Sequence, residues 1–426
     1  MTRTAVPRSF GHILKRSAFL LLLVLLCLPS IARSQDAVRP SLAGEASSEA
    51  RRQDIERIPY NLLVGPIRFR FSATAGVEYN DNINLAQHDE KQDDVIIRPQ
   101  VNFDAIWPIT QLNTLRFDIG VGYSAYIQHS ENNTDGVLIT PGSQLAFDIF
   151  VGDFRINIHD RMSLQQDPIT QAQLSNTANY GRFENTGGIS VLWDLNKVLL
   201  TVGYDHYTFV ATNSDFDYIN HNSEIVSGSM SVAATNTVNI GAEGNAVFSY
   251  YDQHVLNDST NFSAGGFIEA QLSTNLRVRG AAGYQWIDFD NNGLVGDQNN
   301  LSDFYANILI SHRLNATLTQ AVSAGHESQL GINSNYITLN YIRHTITWNI
   351  IRNALLTTEF FYEDADDSGG FINERFQRIG AAGTVGYQLT PHITLGLRYQ
   401  YTQKDSNVPG RNYIQNRVSL DGTYSF

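Results

Sequence analysis

The chain has 426 residues, a formal net charge of −13 and one cysteine. Its acidity argues against nucleic acid as a partner, and a lone cysteine excludes a disulfide scaffold or a cysteine-based zinc site. Hydrophobic residues at 42% exclude a disordered chain, while charged residues reach only 17%, against roughly 25% in an average soluble domain.

Residues 1–32 read as a cleaved signal peptide. Arg3, Arg8, Lys15 and Arg16 precede an apolar run from Ala18 to Leu28, and Pro29-Ser30-Ile31-Ala32 offers a small-residue cleavage site. The run is too short for the roughly 20 residues of a spanning helix. Cys27 is expected to leave with it, because bulky Leu26 stands where a lipoprotein signal needs a small residue. Residues 33–66 read as a periplasmic linker, mostly disordered, rich in Ala, Ser, Glu and Arg. Pro59 and Pro66 break any helix before the next region.

From residue 67 to residue 426 the hydrophobic period is two. Leu115, Phe117, Ile119, Val121 and Tyr123 share one strand face, and Arg116, Asp118, Gly120 and Gly122 share the other. The stretches 154–159, 276–285 and 393–401 repeat this division. Short connections also recur. Asn196, Asn236, Asn275, Asn315, Asn353 and His392 lie 38 to 40 residues apart, the spacing of one hairpin used repeatedly. Longer polar segments separate them, at 80–94, 130–141, 165–179, 211–221, 252–259, 288–300, 363–370 and 404–410.

Strands this long do not suit a soluble sandwich, whose strands run to about 5–6 residues. They suit tilted strands that cross a bilayer, with short turns at one end and long loops at the other. Hydrocarbon demands closure, since an open sheet edge would leave backbone groups unpaired. The expected fold is all-β: a transmembrane antiparallel up-and-down β-barrel of about 18 strands, with 16 also compatible, and with N- and C-termini periplasmic. Two aromatic girdles are expected. Trp107, Trp193 and Trp348 mark the short-turn side, and Tyr79, Tyr126, Tyr207, Tyr250, Tyr251, Trp286, Tyr362 and Tyr401 the long-loop side.

Parity assigns an inward face. It places Arg116, Asp118, Arg155, His159, Arg161, Asp205, Glu243, Glu269, Arg277, Arg279, Glu359, Arg378, Arg398, Arg417 and Asp421 along a pore, because charges on the lipid face would cost up to about 2–4 kcal/mol. Opposed Arg and carboxylate rows would set a transverse field, whereas mutual pairing would only stiffen the wall. Small inward residues such as Gly120, Gly203 and Gly283 fit either a roomy lumen or barrel curvature.

No enzyme constellation is present: the sequence holds neither G-x-S-x-G nor H-E-x-x-H. A barrel hydrolase would need Ser and His side by side on neighbouring strands. The segments starting at Asp288 and Asp364 match half of a calcium loop but carry Asn299 and Arg375 at its closing position, so no metal is assigned. No cofactor is implied.

At the C-terminus Val418, Leu420, Tyr424 and Phe426 alternate on one face. This end resembles the outer-membrane sorting signal that the barrel-assembly machinery reads as a strand edge. Gly76-Val-Glu-Tyr-Asn-Asp-Asn-Ile83, Tyr180-Gly-Arg-Phe-Glu-Asn185, Trp193-Asp-Leu195 and Phe426 together resemble the β-barrel porin 2 family of Gram-negative bacteria, whose members often accompany exopolysaccharide export operons. The resemblance runs from Ile67 to Phe426 and implies an outer-membrane barrel, without catalytic residues.

The leading expectation is a channel in the outer-membrane lipid bilayer for small hydrophilic solutes or for an exported polysaccharide. Two others stand beside it: a plugged barrel whose acidic loops bind an external partner, and an integral outer-membrane hydrolase. A homo-oligomer is left open.

Overall fold

A computed structural model describes residues 60–426. The signal peptide expected at 1–32 and most of the expected linker lie outside the described residues. The strands in chain order are β1 (Leu62–Val64), β2 (Ile67–Asn80), β3 (Asp94–Pro108), β4 (Thr114–Gly122), β5 (Ala125–Tyr126), β6 (Leu138–Val151) and β7 (Phe154–Gln165). They continue with β8 (Arg182–Asp194), β9 (Val198–Ala211), β10 (His221–Ala233), β11 (Val238–Tyr251), β12 (Ser259–Ser273), β13 (Leu276–Phe289) and β14 (Leu301–Arg313). The last six are β15 (Leu318–Leu330), β16 (Tyr336–Ile351), β17 (Ala354–Asp367), β18 (Arg375–Gln388), β19 (Ile393–Ser406) and β20 (Tyr413–Ser425).

Every strand from β2 onward pairs antiparallel with its neighbours, and β20 returns to β2 through Ser72↔Ser425 to Asn80↔Arg417. The sheet is therefore a closed barrel. Its wall has 18 strands, because β4 and β5 are two pieces of one strand lying along β3, and β1 pairs only with the start of β2. β1 lies in line with β20 on the same edge of β2, so it extends the closing seam beyond Ser425.

The short connections fall where the Asn repeat predicts. In one of them Asn196 adopts φ +65°, and its N–H donates to Asp194 Oδ1 at 2.8 Å, which is why a small amide residue suits the turn. Pro141 and Gly142 interrupt β6 at a register shift between Ile139 and Ser143, with Gly142 at φ +93°. A proline is tolerated there because the ladder is already broken. The connection at residues 331–335, between β15 and β16, is a long-loop-side link that the sequence reading passes over.

Burial is inverted relative to a soluble protein. Outward residues such as Val202 (61% exposed) and Leu420 (58%) are apolar, while inward Asp148 and Glu243 are almost fully buried. An apolar outer surface all round the wall is what a bilayer solvates. Among the described residues no helix is long and apolar enough to cross a membrane; the crossing is made by strands. Trp107, Trp193 and Trp348 are exposed at the short-turn ends, and Tyr79, Tyr250 and Trp286 at the other. Tyr126, Tyr207 and Tyr251 depart from the expected girdle. They are buried inside the barrel mouth, because strand parity turns them inward.

Candidate functional site: the lumen and its infolded loop

The most consequential segment is the loop 166–181 between β7 and β8. It begins with Asp167, whose side chain accepts from Ile169 N–H at 3.1 Å and so caps the turn Pro168–Thr170. The loop then turns into the barrel instead of out into solvent. β7 and β8 are the fifth and sixth wall strands, yet the loop bonds to β17, β18, β19 and β20 on the far side. It therefore crosses the lumen.

The far-side anchors are specific. Arg417 Nη1 lies 2.8 Å from Asp167 Oδ2, and Arg378 Nη1 donates to the Ile169 carbonyl at 2.9 Å. Gln173 Nε2 donates to Asp367 Oδ1 at 2.8 Å, and its Oε1 accepts from Ile332 N–H at 3.1 Å. Asn176, at φ +59°, donates its N–H to Leu85 O and its amide to Gly410 O. Lys404 and Arg411 both donate to the Gln173 carbonyl, and both pair with the fully buried Glu374 at 2.9 Å.

An apolar core forms behind the loop, inside the barrel mouth. Leu174 and Tyr180 pack with Phe209, Phe216, Leu256 and Ile332, so the neighbouring long loops also fold inward. Burial pushes the Tyr180 phenol well above its ordinary range and moves that of Tyr218 up to about 12. Asp297, at the loop end, gathers three further loops: it accepts from Asn335 N–H, Ser368 Oγ and Asn257 Nδ2. Its oxygens are occupied by donors, as at a structural hub. Among the described residues no group of acids and histidines is arranged to hold a metal. In the first half-calcium segment, Asn292 and Gly293 are bonded to Asp258 and Asn257.

The fifteen residues assigned to the pore by parity all lie on the face opposite the exposed apolar one. Most pair along the wall with a neighbour. Arg116 Nη2 and Arg155 Nη2 converge on Asp148, at 3.2 and 3.5 Å. His159 Nε2 lies 2.8 Å from Asp205 Oδ1, Arg279 pairs with Glu243 at 3.0 Å, Arg277 with Glu269, and Arg398 with Glu359 at 3.0 Å. Asp118 accepts from Gln144 at 3.0 Å. Arg378 holds Glu363, and Arg417 holds Glu78, both beneath the infolded loop. Arg161 faces inward on β7 and Asp421 on β20 beside Gly76. Oppositely charged groups thus pair with neighbours around the wall.

Several inward glycines seat rings. A Cβ at Gly241 would overlap the Phe267 ring, one at Gly380 the Phe361 ring, and one at Gly265 the Tyr305 hydroxyl. Arginines then cover two of these rings: Arg279 lies 5.0 Å from the Phe267 centroid and Arg378 5.2 Å from that of Phe361. The unit of the wall is glycine, flat ring, arginine and carboxylate. These glycines therefore accommodate neighbouring side chains, and add no open space to the lumen.

Sequence reasoning missed Glu363, Glu374, Lys404, Arg411 and Gln173 as site residues. Glu363 and Lys404 share the inward parity of their strands, so extending the alternation two residues into the presumed loops would have found them. Gln173 carries no such signal. The side-chain bonds of His159, His206 and His326 go to Asp, Asn, Glu or Thr, which gives these histidines no serine nucleophile to activate.

A family model described as "Putative beta-barrel porin 2" matches residues 63–426. The chain belongs to that family. It is a porin-type β-barrel of the Gram-negative outer membrane. No curated protein matches it. Among solved structures it is similar to the Pseudomonas aeruginosa outer membrane protein OpdK, with 9% identity, 84% of this chain and 99% of that chain covered, and a TM-score of 0.48. It is similar also to P. aeruginosa OccK2 (OpdF) in complex with glucuronate, with 9% identity, coverage of 84% and 98%, and a TM-score of 0.49. Acinetobacter baumannii OccAB3 gives 11% identity, coverage of 85% and 100%, and a TM-score of 0.48.

Proposed function

We propose that this porin-type barrel is a diffusion channel for small hydrophilic solutes, not an enzyme, and that loop 166–181 sets its bore. The observation that carries the reading is the path of that loop across the lumen to Asp367, Lys404 and Arg417. A crossing loop narrows the passage and suits small solutes. An extended polysaccharide would need the loop moved aside first. The polar pairs from Arg116 to Asp421 then line the passage and offer solutes donors and acceptors of both signs.

The same reading puts the long loops outside the cell and both termini in the periplasm, as an even strand number allows. Val418, Leu420, Tyr424 and Phe426 form the outward face of the seam strand and are the proposed edge for the barrel-assembly machinery; Phe426→Ala should lower the amount of assembled barrel.

Single-channel recording of the refolded barrel in a planar bilayer tests the function. Discrete open steps, with a reversal potential across a salt gradient, are expected. Electrical silence from correctly folded barrel would remove the channel reading and leave the plugged, partner-binding barrel.

A further inference from the structure

Gln173, in the middle of the crossing loop, is held by β17, by β19 and by the loop that follows β19, and the β17 anchor differs chemically from the others. Asp367 ends β17, beyond the exposed outward pair Asp366–Arg375, and so lies above the bilayer. The residue is only 6% exposed. Its Oδ1 accepts from Gln173 Nε2 at 2.8 Å, while Oδ2 is buried without a hydrogen-bond partner. A buried carboxylate is ordinarily paired or fully hydrogen-bonded.

The surroundings supply no countercharge. Lys404 and Arg411 are both committed to Glu374 and to the Gln173 carbonyl, and Ser406 Oγ donates to Glu374 at 2.6 Å. Neither cation donates to Asp367, whose N–H bonds the Glu374 carbonyl at 2.9 Å. β16 sets Ile337 opposite it. The titratable groups around Asp367 are therefore one carboxylate, Glu374, and two cations already paired with that carboxylate. Burial, with Glu374 beside it, pushes the Asp367 carboxyl up to about 7, against the opposing pull of the Gln173 bond and Lys404. The protonated acid avoids a buried charge and still accepts from Gln173.

We propose that Asp367 is a pH-sensitive latch for the crossing loop: protonated, it holds Gln173 at the far wall, and ionised, it turns toward water and releases the middle of the loop. The sign follows from the raised native value. The latched state is fully stabilised below the free-carboxyl value of about 3.9 and loses that stabilisation as pH rises through about 7. Between those limits the released loop gains at most about tenfold per pH unit. The proposal deepens the reading of loop 166–181 as what sets the bore, and its test does not depend on conduction.

In a chain with Cys27→Ser, Ala172→Cys places the sole thiol on the loop, next to Gln173, where Ala172 packs partly buried against the cluster of Leu339 and Phe376. Its rate of labelling by a water-soluble thiol reagent is read in folded barrel from about pH 5 to 7.5, as a ratio to the same thiol in an Asp367→Asn chain. The ratio cancels the reagent's own pH dependence, and asparagine keeps the acceptor for Gln173 without the charge. The ratio is expected to rise at least about tenfold over that range, within the limit of tenfold per pH unit. A smaller rise would overturn the latch. Should Ala172→Cys not assemble, Ala178→Cys on the same loop takes its place. Channel recording of the chains without the added cysteine separates the two readings. A rising ratio in a silent barrel keeps the latch and removes the channel; a flat ratio in a conducting barrel does the reverse.

Discussion

Arg417 of the last strand and Asp167 of the crossing loop meet at 2.8 Å, joining positions 250 residues apart across the top of the lumen. Burial pushes the Asp167 carboxyl up, but Arg417 and Arg98 outweigh it and hold the group below the usual carboxylate range. A depressed native pKa stabilises the anchored loop above the unfolded value of about 3.9, and that stability is lost as pH falls through the native value. The Asp167 anchor is therefore expected to give a rise in conductance as pH falls below about 4. Asp167→Asn should conduct more at every pH and lack the acid limb. An identical pH profile in the two proteins would dissociate the loop from the bore.

The second anchor is the pair Lys404–Glu374, 2.9 Å apart and with neither side chain exposed. Removing one partner leaves a buried charge short of compensation, at a cost of about 3–5 kcal/mol. Lys404→Met should lower the temperature at which folded barrel converts to its unfolded electrophoretic form. Adding Glu374→Gln should restore part of the loss, although Arg411 then loses its own partner. Additive losses in the double variant would count against a coupled pair.

Asp148 offers the cleanest test of the lumen assignment. It is almost fully buried and receives Arg116, Arg155 and Asn157. Asp148→Asn leaves two arginines facing the passage without their carboxylate. Reversal potentials are expected to shift toward anion selectivity, with conductance within about twofold because the side-chain volume is kept. An unchanged potential would take these arginines off the solute path.

Gly380 seats the Phe361 ring. Gly380→Ala should destabilise the barrel by about 1–3 kcal/mol through overpacking. Phe361→Leu in the same chain should recover part of it, measured again by thermal conversion. Gly383, where a Cβ meets nothing within 4 Å, is the control position on the same strand.

The wall was legible because its two constraints are local. Alternation needs only neighbours along one strand, as in Leu115 to Tyr123, and the 38–40-residue recurrence of Asn needs only one hairpin repeated. Residues 331–335 do not stand out from the flanking strands in the sequence, because none of the five is charged. Tyr126, Tyr207 and Tyr251 leave the girdle because parity along the strand, and not nearness to its end, decides which way a side chain faces. The crossing loop was not legible at all. Gln173 meets Asp367 across 194 positions, and no periodicity records a contact between a loop and a distant wall. The glycine seats were hidden in the same way: Gly241 and Phe267 lie on different strands.

The seam between β2 and β20 carries a consequence for biogenesis. It matches nine residue pairs, Ser72↔Ser425 to Asn80↔Arg417, where most other neighbours match twelve or thirteen. Its partners are also the two ends of the sheet, so none of its hydrogen bonds can form until the last segment has been made. Until then the growing sheet has two bare edges, each a template for wrong pairing. Joining such distant segments is intrinsically slow. The polypeptide must therefore be held apart from its own kind during transit through the periplasm, until its two ends meet and the cylinder closes.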